Sequence, residues 1–240
     1  MKNLIKKFKK FLKLLNNRTY RNGLLYGVAA SIEHEPFFKN YSYNNVIDIG
    51  ANRGQFALLA RKCFPNSNIF SFEPLPDPFR TLTKLFSNDN KTKIFNCAIG
   101  PKNGSEIIHV SKSDDSSSLF EITELQNKIF PGTDELKTEE IKISTLNNLI
   151  SKNNLKGSVL LKLDVQGFEY EALLGCQELL SLFDAIYCEC SFLELYKNQK
   201  LAHEIIAYLN QRGFRLDGFY NSSYDKNGYS IQADLFFKKI

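Results

Sequence analysis

The sequence contains no long apolar segment. Its 240 residues include no uninterrupted run of about 18 apolar residues, the length at which a segment becomes a candidate for crossing a membrane. Lysines interrupt every short apolar stretch near the N-terminus, so we expect no signal peptide. The five cysteines form no Cys-x-x-Cys pair, which predicts reduced and mostly buried thiols. These features together predict a cytoplasmic protein.

Acidic residues are absent from the first 32 positions, where eight lysines and arginines lie. The rest of the chain carries 23 basic and 26 acidic residues, so its body is slightly acidic. That balance argues against a basic groove that follows a nucleic acid, and we predict no nucleic-acid partner.

Residues 3–15 predict an amphipathic helix, because apolar side chains recur there at helical spacing with lysines on the opposite face. The apolar positions are Leu4, Phe8, Phe11, Leu12 and Leu15. Such a helix either lies on an anionic membrane surface, at the inner face of the membrane, or docks on its own domain or on a partner. The sequence leaves both alternatives open, and it also leaves open whether the chain forms a homo-oligomer.

From residue 44 onward, short apolar strands alternate with amphipathic helices, a pattern typical of βαβ units and a parallel sheet. The predicted strands cover residues 44–50, 67–75, 91–100, 158–165 and 184–192. Two further strands near the C-terminus are expected to pair in antiparallel fashion at one sheet edge. We therefore predict a basic helical extension over residues 1–40 and an α/β domain over residues 41–240. A loop-rich insertion with one or two extra strands is expected at about residues 100–140.

A glycine turn follows the first strand, in the sequence Asp48-Ile49-Gly50-Ala51-Asn52-Arg53-Gly54. Glycine lets the backbone approach a ligand closely and adopt positive φ. The glycine spacing differs from that of the dinucleotide fingerprint, and a pyrophosphate would avoid the neighbouring carboxylate of Asp48. S-adenosylmethionine has no phosphate and carries an ammonium and a sulfonium group, so an acidic residue beside the turn suits it.

Further polar residues follow other strands, and ligands of open α/β sheets bind at the carboxyl ends of the strands. Glu73 ends the second strand about 20 residues after the turn, where an acidic residue binds ribose hydroxyls. Asn96, Cys97 and Ala98 lie at the end of the third strand, where they are placed to line an adenine pocket. Asp164 emerges from the buried strand LLKLD, and a carboxylate there is costly unless it is paired or used.

These strings resemble the FkbM-type methyltransferases, a branch of the class I S-adenosylmethionine-dependent enzymes. The resemblance rests on GVAASIEHEPF (27–37), VIDIGANRGQFALLAR (46–61), FEPLP (72–76), NCAIG (96–100), SSSL (116–119), LLKLDVQGFEYEALLG (160–175) and ADLFF (233–237). It implies a Rossmann-like α/β fold with a seven-stranded, mostly parallel sheet, helices on both faces and a reversed last strand. The family often carries glutamate where this chain has Gln166, so we expect no catalytic carboxylate at that position.

The resemblance also implies the cofactor S-adenosylmethionine and a set of residues that bind it. Asp48, Gly50 and Gly54 are expected to hold its methionine part, and Glu73 its ribose. The other candidates lie in the same motifs: Asn52, Gln55, Pro74, Asn96, Cys97, Ala98, Ser117 and Asp164. The implied reaction is methyl transfer to an oxygen, with the hydroxyl of a sugar, a glycan or a similar polyhydroxylated metabolite as acceptor.

A general base would assist transfer to a hydroxyl, because the hydroxyl must lose its proton as charge develops. Asp164 is the first candidate, either as the base or as the group that orients the acceptor. Glu189 in CECSF and His34 in IEHEP are the second and third. No metal site is predicted, since the adjacent Asp114 and Asp115 lack a second group of oxygen ligands. The alternatives are an NAD-dependent oxidoreductase, a nucleic-acid methyltransferase and an inactive module that binds S-adenosylmethionine.

Overall fold

The computed structural model of the protein describes residues 10–240, and a seven-stranded sheet forms its centre. The strand order is β3-β2-β1-β7-β8-β10-β9. The bounds are β1 (Asn45–Ile49), β2 (Asn68–Phe72), β3 (Thr92–Phe95), β7 (Val159–Leu163), β8 (Ala185–Ser191), β9 (Phe214–Tyr224) and β10 (Ser230–Lys239). All neighbours are parallel except β10, which runs antiparallel to β8 and β9. The fold class predicted from the sequence, including the reversed last strand, is confirmed.

Helices cover both faces of this sheet, because its central strands are buried on both sides and need apolar cover. One face carries α1 (Arg18–Leu25), α2 (Glu35–Phe38), α3 (Gln55–Cys63) and α4 (Pro76–Leu85). The other carries α6 (Leu146–Leu149), α7 (Glu169–Gly175) and α8 (Ala202–Asn210). Residues on alternate positions of one strand therefore enter different cores: Val46 packs beneath α3, whereas Ile47 and Ile49 pack beneath α7.

The predicted third strand is two strands in different sheets, which corrects the prediction of one strand over residues 91–100. β3 pairs with β2, whereas β4 (Ala98–Ile99) belongs to a second sheet of three strands. The chain changes direction at Asn96, whose side-chain amide donates to the carbonyl oxygens of Glu73 and Pro74, both at 2.9 Å. Strand periodicity cannot show such a break, because both halves are equally apolar.

The inserted segment builds most of this second sheet. β5 (Gly104–Ser111) and β6 (Glu135–Ser144) pair in antiparallel fashion, and α5 (Glu124–Ile129) lies between them in the chain. The segment thus holds two strands, as many as the sequence analysis allowed for, and one helix that it did not predict. Its loop over residues 112–119 returns towards the carboxyl ends of the main strands and reaches the candidate site.

The N-terminal segment packs on the domain from residue 10 onward, while Leu4 and Phe8 lie outside the described residues. A helical stretch over residues 10–15 buries Leu14, which is 3% exposed, and leaves Phe11 47% exposed. The apolar face expected from Phe11, Leu12 and Leu15 is thus turned to solvent, because Leu14 makes the docking contact. Contact of this face with a membrane stays a prediction. Within residues 10–240, no helix combines the length and apolar character needed to cross a bilayer.

Candidate active site

A cavity of about 430 Å³ opens at the carboxyl ends of the central strands, where open α/β sheets bind ligands. Ten of the residues predicted for the site line this cavity: His34, Gly50, Asn52, Gln55, Glu73, Pro74, Ala98, Ser117, Asp164 and Glu189. Four others do not line it: Asp48, Gly54, Asn96 and Cys97. The structure therefore brings ten of the fourteen predicted site residues to one cavity, and their roles in binding and catalysis stay predictions.

The glycine turn forms the floor of the cavity. Gly50 has φ +78°, and a Cβ there would lie 1.8 Å from the carbonyl oxygen of Asp164, so only glycine fits. Gly54 also has positive φ, but a Cβ on it would meet Leu82 at 2.8 Å. The prediction that Gly54 contacts the cofactor is therefore corrected: this glycine lets α3 approach α4, behind the cavity wall.

Glu73 holds the turn in place. Its carboxylate accepts the backbone N–H groups of Asn52 and Leu75, each at 2.8 Å. Each of its oxygens keeps a further lone pair, so the carboxylate can still accept a hydrogen bond from a hydroxyl of a ligand in the cavity. Burial raises the pKa of Glu73 to about 7, although the two backbone N–H groups oppose this shift.

Asp48 does not face the cavity, contrary to the sequence-based prediction. Its side chain is fully buried and pairs with Lys162, whose Nζ lies 3.3 Å from Oδ1. Lys162 also donates to the carbonyl oxygen of Gly50 at 3.1 Å. Burial opposes the lysine's charge, yet Asp48 and Asp164 raise the pKa of Lys162 above its usual value. The pair therefore supports the glycine turn from below.

The far end of the cavity is an apolar slot. Ala98 lines it together with Leu75, Ile108 and Phe168, which belong to one buried apolar cluster. The predicted adenine-pocket roles of Asn96 and Cys97 are corrected. Asn96 is exposed and ties β2 to β4, and Cys97 is buried in the main core. The slot depends on the second sheet, which the sequence did not reveal.

The loop over residues 112–119 closes this end of the cavity. Ser117 lines the wall and accepts the backbone N–H of Ser111 at 3.0 Å. Asp114 forms an ion pair with Arg53 of the glycine turn, so its carboxylate has a protein partner. Among residues 10–240, no three His, Cys, Asp or Glu side chains are arranged to hold a metal ion.

Carboxyl groups cluster at the opposite end. Asp164 Oδ1 and Glu189 Oε2 both accept from the Gln166 side-chain amide, at 2.8 and 2.9 Å. Gln166 in turn accepts the Tyr196 hydroxyl at 2.8 Å, so the amide is fixed between the two carboxyls. Burial and the neighbouring Asp164 and Asp234 raise the pKa of Glu189 well above its usual value. A glutamate at position 166 would add a third carboxyl here.

His34 lies in a second polar group at this end. Its Nδ1 is 3.0 Å from the Tyr187 hydroxyl, 2.8 Å from Asn221 Nδ2 and 3.5 Å from Asp234 Oδ2. Burial lowers the pKa of His34, although Asp234 opposes this shift. Sequence analysis missed the other three residues, which come from β8, β9 and β10. The available signal was ADLFF, whose Asp234 pairs in register with Glu189.

Glu169, the first residue of α7, holds the loop that precedes this helix. Its Oε1 accepts the backbone N–H groups of Val165 and Gly167, at 3.0 and 3.2 Å. Burial raises the pKa of Glu169 to about 7. The residue thus fixes the backbone that carries Asp164 and Gln166 into the site.

The residues present fit S-adenosylmethionine. The cavity has the size of small-molecule sites, which hold roughly 300–1,000 Å³, and it joins an apolar slot to an acidic end. Gln55 lines it, and its buried Oε1 has no hydrogen-bond partner among the described residues. An acceptor buried without a donor is costly unless a ligand supplies one. Such a ligand would carry N–H or O–H groups, as an amino acid ammonium does.

The buried Glu73 makes stability depend on pH. Its pKa in the folded protein is about 7, against an ordinary 4.5, so the folded state retains a proton that the unfolded chain releases. The resulting stabilisation is present below pH of about 4.5 and is lost as pH rises through about 7, by at most about 3 kcal/mol. We expect the decrease in the free energy of unfolding between pH 5 and pH 8 to be smaller in Glu73→Gln than in the wild type. The measurement is urea unfolding of the cofactor-free protein at both pH values. An unchanged difference between the two pH values would contradict the prediction.

Comparisons with known proteins agree with this geometry. The 2-O-methyltransferase NoeI of Sinorhizobium fredii is 27% identical over 165 residues, which cover 64% of this chain and 66% of that protein. Methyltransferase 1 of Beauveria bassiana is 24% identical over 145 residues, which cover 55% of this chain and 58% of that protein. The matched part therefore spans less than two thirds of either relative's own length.

Among solved structures, a putative rRNA-methylase from Clostridium thermocellum superposes with a TM-score of 0.48 at 12% identity, covering 89% of this chain and 97% of that chain. A model of the methyltransferase FkbM domain matches residues 48–216, which is more than half of the chain. The match contains the glycine turn, Glu73 and the Asp164 strand, and it confirms the resemblance seen in the sequence. The chain therefore carries an S-adenosylmethionine-dependent methyltransferase domain and belongs to the FkbM methyltransferase family.

Proposed function

We propose that this protein transfers a methyl group to a hydroxyl of a sugar, a glycan or a similar polyhydroxylated acceptor. The observation that carries the proposal is the position of Asp164, whose backbone lies beside Gly50 of the glycine turn. Asp164 lines the cavity, and its side chain is 39% exposed. A carboxylate that faces a cofactor cavity can orient a hydroxyl and accept its proton. A relative named 2-O-methyltransferase supports an oxygen acceptor.

Different residues along the cavity would bind different parts of S-adenosylmethionine. Leu75, Ala98 and Phe168 would pack against the adenine, and Glu73 would accept from the ribose hydroxyls. The turn at Gly50 and the acceptor oxygen of Gln55 would hold the amino acid part. When bound, S-adenosylmethionine supplies a methyl group that is already activated on a sulfonium. The protein must then mainly align the acceptor and exclude water.

Asp164 is the best placed of the three predicted bases. The Nδ1 of His34 is already engaged by Asn221 and Tyr187. The pKa of Glu189 is raised well above its usual value, so Glu189 retains its proton at pH values where an ordinary glutamate has lost it. Asp164 has one oxygen fixed by Gln166 and faces the cavity, so we assign to it the proton of the acceptor hydroxyl.

Asp164→Asn is expected to lower kcat by about 10²–10⁴-fold, because the amide keeps the shape but cannot take a proton. The affinity for S-adenosylhomocysteine should change little, since Asn retains an oxygen that accepts from Gln166. The measurement is transfer of labelled methyl from S-adenosylmethionine to a panel of neutral methyl glycosides, with calorimetry for S-adenosylhomocysteine.

His34→Asn and Glu189→Gln serve as the comparison variants, and smaller losses of kcat are expected for both. If His34→Asn lost more turnover than Asp164→Asn, the base would be misassigned. If the wild-type protein bound S-adenosylhomocysteine but methylated no glycoside, the proposed acceptor class would be wrong.

A further inference from the structure

A second cavity adjoins the first on the side of His34. It encloses about 590 Å³ and shares four residues with the cofactor cavity: Glu33, His34, Tyr187 and Asn221. The shared wall lies at the end of the cofactor cavity where the carboxyl side chains of Asp164 and Glu189 cluster, away from the apolar slot. A molecule in the second cavity would therefore approach the site from the side on which Asp164 lies.

Aromatic rings form much of the wall of this second cavity. Phe37, Tyr41, Tyr187 and Tyr220 all line it. The rings brace one another, with centroids of Phe37 and Tyr220 4.1 Å apart and those of Phe37 and Tyr41 4.9 Å apart. Phe37, Tyr41 and Tyr220 are only half-buried, so they present ring surface to the cavity. We name this wall of four rings the aromatic groove.

Half-buried rings beside polar groups suit one class of ligand in particular. The face of an aromatic ring is negative, and the C–H bonds on one face of a sugar ring are positive, so the two stack. Asn40 and Asn221 lie at the rim of the groove, where side-chain amides can bond to sugar hydroxyls. Nδ2 of Asn221 is already engaged by His34, Tyr187 and Asp234. Its part in binding a sugar therefore falls to its Oδ1, for which an apolar ligand could supply no donor.

The charged groups where the two cavities meet further restrict the class of ligand. Carboxyl groups of Glu33, Asp164, Glu189 and Asp234 line the joined cavities. The two lysines there are already paired, Lys10 with Glu33 at 2.8 Å and Lys162 with Asp48 at 3.3 Å. Lys162 Nζ also lies 3.5 Å from Asp164 Oδ2. Among residues 10–240, neither lysine that lines the cavities is therefore left to pair with an anionic acceptor, whose charge would lie without a partner in a partly buried site. A uronic acid or a sugar linked to a nucleoside diphosphate is thereby disfavoured.

We propose that the aromatic groove is the acceptor subsite and that it takes a neutral sugar ring of a glycoside. The ring stacks on Tyr220 and Phe37, and one of its hydroxyls passes His34 to reach Asp164. This inference rests on the proposed function and adds to it a binding surface and a charge preference. Tyr220 acts by positioning the acceptor, so its loss raises KM more than it lowers kcat.

The test replaces Tyr220 by leucine, which keeps apolar volume and removes the ring face. Tyr224 lies on the same strand, is 59% exposed and is outside the groove, so Tyr224→Leu is the matched control. Saturation-transfer NMR on protein loaded with S-adenosylhomocysteine would use methyl glycosides of neutral hexoses, of N-acetylhexosamines and of uronic acids. Methyl transfer to the same panel would give KM and kcat.

The expected result is saturation transfer to neutral glycosides and not to uronates, with a rise in KM of roughly tenfold for Tyr220→Leu and none for Tyr224→Leu. Calorimetry should show equal affinity of both variants for S-adenosylhomocysteine. If neutral glycosides were methylated and Tyr220→Leu left KM unchanged, the groove assignment would fail while the proposed function stood. Equal or stronger binding of uronates would overturn the charge preference. Loaded wild-type protein that bound no glycoside would overturn both.

Discussion

Replacing Lys162 by methionine is expected to lower the free energy of unfolding by about 3–5 kcal/mol. The lysine is nearly fully buried, and Asp48 beside it is 0% exposed. Neither carboxylate oxygen of Asp48 has a hydrogen bond among the described residues, so the lysine is its main compensation. Methionine preserves most of the side-chain volume. The decrease in the free energy of unfolding therefore measures the cost of the unpaired Asp48 carboxylate.

A double-mutant cycle separates this electrostatic effect from packing. Asp48→Asn in the Lys162→Met background removes the uncompensated charge, and we expect it to restore more than half of the lost stability. Urea unfolding of the wild type, both single variants and the double variant provides the measurement. Additive losses would show that the two side chains do not act as a pair, and would contradict the prediction.

Gly50→Ala is expected to abolish measurable binding of S-adenosylhomocysteine. The added methyl would lie 1.8 Å from the Asp164 carbonyl oxygen, far inside van der Waals contact, in a backbone with φ +78°. Either the turn or the strand that carries Asp164 must move, and both form walls of the cavity. Because backbone atoms meet at this point, no rotation of a side chain can relieve the contact.

Gly27 provides the matched control for this variant. It has φ +73°, close to that of Gly50, but a Cβ there would meet nothing within 4 Å. Gly27→Ala should thus cost only the backbone strain of a non-glycine residue at positive φ, about 1 kcal/mol, with unchanged calorimetric affinity for S-adenosylhomocysteine. Equal affinity of the Gly50→Ala variant and the wild type would refute the close-approach argument.

Much of the site followed from local patterns in the sequence. Apolar strands that end in Glu73 and Asp164 identified two strand ends, because polar residues after a buried strand must emerge at its end. The glycine turn was recognisable because its spacing differs from that of a pyrophosphate site. The strand ends and the glycine turn could be inferred because each depends on residues that are neighbours in the chain. Glu73 and Asp164 both line the cavity.

Side-chain direction and long-range pairing were decided by the tertiary structure. Asp48 was expected at the cofactor, but it lies opposite Lys162 in the strand register and pairs with it instead. The strand predicted over residues 91–100 divides between two sheets because Asn96 ties its middle to β2. The apolar periodicity of a strand indicates which of its side chains share a face, but it does not identify the strand with which it pairs.

By itself, the sequence determined the fold class, the glycine turn and the acidic strand ends, because each depends on a short apolar pattern and the residues beside it. Only the tertiary structure brought His34 to Tyr187, Asn221 and Asp234, residues up to 200 positions away. It also assembled the aromatic groove from Phe37, Tyr41 and Tyr220. These contacts depend on strand order and on the face each side chain takes, which are set by packing of the whole domain.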